Sequence, residues 1–260
     1  MTLLREIASQ ATSFDFMSLR NVALIAVMGA TGTGKSTFIN KACDGNMKIG
    51  RGLESCTSEI QLSPFFRLNG RNVCLIDTPG FDDTNRPDSE ILKDIAYYIC
   101  EAYQQHIQLA GVVFIHRISD SRVTGVTRRN MKMFQQLCGT DAMKNVVIVT
   151  NMWGNVDKAD GELREAELRT KSIFLEEAIK NGACIIRHDN STNSARKIIS
   201  ELLKNDPVTL QIQREMLDQR MDVIDTAAGA ELNRELMEQA KKYQKQLEEL
   251  KKESDGVCNL

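Results

Sequence analysis

Val22-Ala23-Leu24-Ile25-Ala26-Val27-Met28 runs directly into Gly29-Ala30-Thr31-Gly32-Thr33-Gly34-Lys35-Ser36, and the residues from Lys35 to Ala42 suit a helix. A short apolar, β-branched run marks a buried strand, so the local order is strand, glycine-rich turn, helix. The turn has the spacing G-x-x-x-x-G-K-[ST], and the strand before it and helix after it give that spacing its meaning. Its glycines let backbone amides close around an anion, and the new helix adds the positive end of its dipole. Lys35 would reach outer phosphates, while the Ser36 hydroxyl would face magnesium. Gly29, Ala30, Thr31, Gly32, Thr33, Gly34, Lys35, Ser36 and Thr37 are therefore expected to hold phosphate groups.

The alternation continues outward from this point. Strand-like runs at Asn72 to Ile76, Gly111 to Ile115, Asn145 to Val149 and Ala183 to Ile186 are separated by helical stretches at Asp88 to Gln108, Arg128 to Leu137, Glu162 to Lys180 and Ser194 to Lys204. This predicts an α/β, three-layer P-loop fold with a mainly parallel sheet. Glu59 to Leu68 and Arg71 to Ile76 flank Asn69-Gly70, a strong hairpin signal, so one antiparallel edge strand is expected. Asn205-Asp206-Pro207 breaks the chain, which gives a main domain over residues 21–205. Residues 1–20 carry a weaker helical pattern (Leu3, Leu4, Ile7, Ala8) with no chemistry in it.

Residues 206–260 form the remaining unit. From Val208 to about Lys252 they read as one helix of roughly 65 Å at 1.5 Å per residue. Leu210, Leu217, Met221, Ile224 and Ala228 keep heptad spacing, as do Leu236, Ala240, Tyr243, Leu247 and Leu250, with Gly229 between the two registers. Such a helix can enter a coiled coil with a protein partner or fold back on the domain.

Composition narrows the classes. At 260 residues with 42% hydrophobic side chains, the chain can bury one sizeable core. Its 33 basic residues against 35 acids leave a net charge of −2, which gives no general reason to bind nucleic acid. The seven cysteines are scattered without a CxxC pair, as expected of buried thiols in a reducing, cytoplasmic setting. No run approaches the roughly 18 apolar residues of a transmembrane helix, and the first residues do not resemble a secretory signal.

Val73-Cys74-Leu75-Ile76-Asp77-Thr78-Pro79-Gly80 places an aspartate at the end of the next strand, where a carboxylate would meet the magnesium shell. Gly80 is positioned to offer its amide to a terminal phosphate. Between the two motifs, the polar stretch Arg51 to Ser58 offers Thr57 as a magnesium-ligating hydroxyl, with Ser55 and Ser58 as rivals.

This order resembles the septin-related branch of the translation-factor class of GTPases, which includes septins, chloroplast-import Toc receptors and the immune-associated GIMAP proteins, and is most like fungal G-domain proteins of that group. The likeness spans roughly residues 20–204. Beyond the two phosphate motifs it rests on His116-Arg117-Ile118-Ser119-Asp120, Arg129-Asn130-Met131-Lys132-Met133-Phe134, Leu137-Cys138-Gly139, Thr150-Asn151-Met152-Trp153 and Arg187-His188-Asp189-Asn190. It implies a G domain that binds GTP or GDP with magnesium, whose relatives often pair as homodimers across the nucleotide face.

Two departures stand out. Where such proteins read guanine with Asn/Thr-Lys-x-Asp, this chain has Asn151-Met152-Trp153-Gly154, so the reading carboxylate is missing and an ATPase on the same scaffold stays open. Asn151, Trp153 and Asn190 are the candidates for the base; Trp153 is equally suited to a loop anchor and Asn190 to a helix cap. Phe81 follows Gly80 in place of a water-orienting glutamine. Hydrolysis is therefore expected to be slow and to draw on Arg117 or Arg122, in cis or across a dimer, together with Lys35, Thr57 and Gly80; surface arginines are the plainer alternative. His116 suits a packed strand end. The rival to an enzyme is a module that senses nucleotide through its C-terminal helix with negligible turnover.

Overall fold

The computed structural model describes residues 22–47 and 59–234, together with 237, 243 and 244. The first strand, β1 (Val22–Gly29), is buried along its whole length. It lies between β4 (Arg71–Asp77) and β5 (Leu109–Arg117), parallel to both. The sheet continues through β6 (Val146–Asn151) and β7 (Cys184–Arg187), also parallel. The parallel strands therefore run in the order β4-β1-β5-β6-β7, and the connections leave β1 in opposite directions, the switch point where α/β sheets open a crevice at their carboxyl ends.

Side-chain alternation divides the interior into two cores. Leu24, Ala26 and Met28 of β1 face one side, with Ile91 and Ile95 of the helix Asp88–Gln104 (α2) and Phe134 of Gly125–Cys138 (α3). Ala23, Ile25 and Val27 face the other, with Phe38 and Ile39 of Lys35–Cys43 (α1) and Ile198 of Thr192–Leu202 (α6). Each fully buried large side chain contributes about 1.5–3 kcal/mol, so β1 and the loop it feeds are held from both faces.

The expected edge strand is present but divided into β2 (Gln61–Leu62) and β3 (Phe66–Leu68), both antiparallel to β4. Pro64, which has no amide proton, falls between them. Ser63 keeps the edge attached: its N–H donates to the Leu75 carbonyl at 2.8 Å, and its hydroxyl accepts from the Leu75 N–H at 2.9 Å. Asn69 (φ 50°) and Gly70 (φ 78°) make the tight turn in the left-handed conformation that a two-residue hairpin of this kind requires. The helical stretch expected over Glu162 to Lys180 divides into Lys158–Thr170 (α4) and Glu176–Lys180 (α5). Asp157 starts α4 early by accepting the Ala159 N–H at 2.9 Å.

The single long helix expected from Val208 is corrected. Val208 first donates its N–H to the Leu109 carbonyl, and Asn145 ties Ala110 to Asp206 with two 2.8 Å hydrogen bonds. A short helix, Gln211–Gln213, passes into a π turn, Arg214–Asp218; after the break at Arg220 (φ 56°) comes a 3₁₀ turn, Val223–Asp225, and then a helix over 227–234. Packing overrides the heptads: Leu210, Ile212, Val223, Ala228 and Leu232 join the α2/α3 core, while Ile224 is 61% exposed. Gln213 fastens the segment by donating to the Ile99 carbonyl at 2.7 Å. The extension expected at 1–20 lies outside the described residues, as do Leu236, Ala240, Leu247 and Leu250; Tyr243 is exposed.

Gly229, expected to separate two registers, is instead a point of close approach. A Cβ there would strike the Val223 carbonyl oxygen and lie 2.8 Å from Ile224 Cα. Gly229→Ala is expected to cost about 1–3 kcal/mol, the scale of overpacking. Limited proteolysis should then cut within 219–234 while leaving the sheet intact; an unchanged melting temperature and digestion pattern would contradict this packing.

Candidate functional site

The glycine-rich loop leaves β1 and enters α1 through backbone that only glycine adopts cheaply. Gly34 has φ 94°, and a Cβ on it would sit 2.7 Å from Asn151 Nδ2. Lys35, the first residue of α1, is 7% exposed and donates from Nζ to the carbonyls of Gly29 and Ala30, both at 3.1 Å. Burial pushes the ammonium down to about 8, opposed by the charge of Asp77. The lysine is thus folded back on its own loop, its Nζ held by two carbonyls that anionic oxygens could replace. Thr37 follows in the first turn, half-buried.

Asp77 ends β4 with its side chain 1% exposed and accepts the Ser36 hydroxyl at 2.6 Å. A carboxylate and a hydroxyl in contact beside a phosphate loop suit magnesium, a hard cation that takes one or two protein oxygens and fills its shell from phosphates and water. Among the described residues no group of three or more His, Cys, Asp or Glu could hold a metal unaided. Ser36 and Asp77 fit a magnesium–phosphate complex better than a protein-only metal site.

The turn after Asp77 is sewn to the loop. Thr78 donates its hydroxyl to the Val27 carbonyl at 2.8 Å, Thr31 N–H donates to the Phe81 carbonyl at 2.7 Å, and Phe81 N–H to that of Gly29 at 3.3 Å. Gly80 lies so close that a Cβ would come within 2.6 Å of Thr31 N. Phe81 is fully buried in the α2/α3 core, so it anchors the turn and orients no water. Asp82 N–H donates to Asp88 Oδ1 at 2.7 Å, and Arg129 donates to the other oxygen at 2.9 Å. Nothing in their spacing marked Asp88 and Arg129 as partners, since they lie 41 residues apart.

The two candidate arginines separate. Val113 and Ile115 of β5 face the α1 side, and Arg117 continues that alternation. Its Nη1 lies 3.2 Å from the Cβ position of Gly32, and its Nε donates to Asp120 at 3.2 Å. Arg122 is exposed on the following loop, and Thr57 lies outside the described residues. His116, 7% exposed, is pushed down to about 4 by burial and is neutral at physiological pH.

At the far end, Asn151 donates to the Thr33 carbonyl at 2.9 Å and so braces the loop. Trp153 donates its indole N–H to Thr150 O and Oγ1, both at 3.1 Å, and carries the Arg187 guanidinium 4.1 Å from its ring centre. These contacts make it an anchor between β6, β7 and α4. A Cβ on Gly154 would meet nothing within 4 Å. Asn190 stands exposed at the end of β7 with φ 63°, and the cap of α6 is Ser191, which accepts the Ser194 N–H at 3.1 Å. His188 is buried beneath, its ring edge-on to Phe38 at 5.2 Å.

Fold and site together define the class: a P-loop domain with a magnesium-type Ser/Asp pair. Residues 24–152 match the family model described as 50S ribosome-binding GTPase. Over those residues the chain is thus similar to a P-loop GTPase G domain. It is 27% identical over 146 residues to GTPase Der of Rhodopirellula baltica, covering 55% of this chain and 30% of that protein. To GTPase HflX of Thermococcus kodakarensis it is 24% identical over 189 residues, covering 70% and 40%. The chain therefore spans less than half the length of these relatives. Among solved structures, Toc33 from Arabidopsis thaliana with Mg²⁺ and GMPPNP superposes with a TM-score of 0.55 at 13% identity, covering 78% of this chain and 93% of that one. At that identity the likeness concerns the fold.

The buried lysine gives a pH signature. Above about 8 the free protein holds Lys35 partly neutral, whereas a bound triphosphate favours the ammonium, so binding takes up a proton there. Affinity for magnesium–GTP is expected to fall roughly three- to tenfold between pH 7 and 9, and Lys35→Ala to bind at neither pH. Titration calorimetry checks both; a flat profile would mean that Lys35 stays charged throughout.

Proposed function

We propose that this chain binds GTP and GDP with magnesium and hydrolyses GTP slowly, with self-association raising the rate. The observation that carries the reading is the Ser36–Asp77 contact beside a lysine held by the loop it serves. When bound, magnesium neutralises charge on the outer phosphates. The chain's own residues do the rest. Loop amides and Lys35 hold the phosphates, Asn151 keeps the loop shaped, and Gly80 lies against Thr31 where its amide can follow a terminal phosphate. Thr57 is proposed to complete the magnesium shell.

Slow turnover follows from Phe81. A buried aromatic at this place leaves no side chain there to orient water, so about 4–7 kcal/mol, the scale of an arginine finger, must come from elsewhere. Arg117 can stabilise developing charge, because its guanidinium already lies beside Gly32. Arg122, exposed on the loop after β5, is the group to offer to a second copy. Among the structural neighbours, dimerization is described as important for the GTPase activity of the chloroplast translocon components atToc33 and psToc159; that structure has a TM-score of 0.56 and 12% identity. The burial of Phe81 also favours a second reading, a nucleotide-sensing module with negligible turnover.

Specific activity measured over about a hundredfold range of protein concentration should rise and level off. Arg122→Ala should flatten the rise, Arg117→Ala should lower the plateau, and neither should weaken GTP binding. A flat profile with appreciable turnover would make the single chain complete, and one near zero would select the sensing module. Chelation of magnesium should weaken GTP binding far more than it lowers the stability of the free protein.

A further inference from the structure

The site's unusual end is where the base would lie. Asn151, closing β6, touches the loop through Thr33, and His188, just after β7, packs on Phe38 of α1. A nucleotide with its phosphates on the loop must therefore extend over the ends of β6 and β7, bounded by Asn151 to Gly154 and by His188 to Ser191. Guanine presents two donors there, N1–H and the 2-amino group, and one acceptor, the 6-oxo oxygen.

The carboxylates flanking this space are already engaged. Asp157 caps α4 through Ala159 N–H. Glu165 accepts Arg187 at 2.7 Å, Glu162 accepts the same arginine at 3.4 Å, and Asp160 pairs with Arg164 at 3.8 Å. Asp189 is turned toward α6, where Oδ1 accepts the Ser191 N–H at 2.9 Å and the Ser191 hydroxyl at 2.6 Å; the Ser191 bond holds its carboxyl below the usual range. Gly154 contributes no side chain. Asn190 is different: left-handed and exposed, its main-chain N–H makes no hydrogen bond among the described residues. A main-chain N–H can only donate, so it suits a 6-oxo group and opposes a 6-amino group.

We propose that this site, given the nucleotide reading above, recognises 6-oxopurine triphosphates through the 6-oxo edge alone and leaves the 2-amino group unread, so that inosine triphosphate serves as well as GTP. The missing contact is a charge-assisted pair, the kind that otherwise separates the two bases. Displacement of N-methylanthraniloyl-GDP from the full chain by magnesium complexes of GTP, ITP and ATP tests it. The expected order is GTP and ITP within about threefold of each other and ATP at least about tenfold weaker. Gly154→Asp, which has room for its side chain, should raise the preference for GTP over ITP to about tenfold or more. Asp189→Asn should leave the native ratio unchanged.

A native preference for GTP over ITP of about thirtyfold or more would overturn the proposal, and loss of that preference in Asp189→Asn would identify the group that reads the amine. ATP binding as tightly as GTP would overturn it differently, by showing that the 6-position is not read. If the labelled nucleotide and every triphosphate failed to bind, the nucleotide reading itself would fall, whereas the other outcomes leave it standing.

Discussion

The loop from Gly29 to Ser36 can hold an anion only if its shape is fixed before the anion arrives. A flexible glycine loop would lose about 1–2 kcal/mol of backbone entropy per residue on binding. Three groups hold it here. Asn151 donates to Thr33 from the end of β6, Lys35 closes on Gly29 and Ala30 from within, and Phe81 exchanges backbone hydrogen bonds with Gly29 and Thr31 from the side. Each brace comes from a different part of the chain, so the loop keeps its shape only when β1, β4, β5 and β6 are correctly ordered. This is why a central strand buried on both faces matters for chemistry that occurs at its tip.

Phe81 shows how a demand of the fold constrains function. The same residue that pins the turn to the loop is buried in the α2/α3 core, and a side chain committed there cannot also manage a water molecule. The turn retains its glycine against Thr31 and gains rigidity, while the segment after it is held by Asp88 and Arg129. The residues that follow, 82–87, are mostly exposed. Those residues lead into α2, on which Gln213 and Val223 of the C-terminal segment are packed.

Most of the central architecture was legible because it rests on local signals. The five parallel strands and the hairpin turn at Asn69-Gly70 follow from apolar runs and from one dipeptide that tolerates positive φ. The loop's place between β1 and α1 was legible because its spacing and flanking elements coincide. What the sequence did not disclose depends on tertiary contact. The heptads after Val208 are genuine in spacing, yet burying Leu210, Ile212 and Val223 against the domain outweighs continuing the helix. Arg117 and Arg122 looked alike until strand alternation brought one to Gly32. Trp153 was open between base cover and anchor until Thr150 and Arg187 supplied its partners.

The two ends of the site consequently place different demands on sequence. On the reading proposed above, phosphate would be held by backbone amides, one lysine and one Ser/Asp pair, all fixed in place by the fold. On the same reading, the base would meet residues just beyond the ends of β6 and β7, which can be changed without disturbing the core. Here Arg187, Glu165, Thr150 and Trp153 form a closed network that stabilises the junction of β6, β7 and α4. That network uses polar groups which could otherwise line the base, and Gly154 removes the remaining acid. On the reading proposed above, a site of this kind would keep its hold on the phosphates while relaxing selection between 6-oxopurines that differ only at the 2-position.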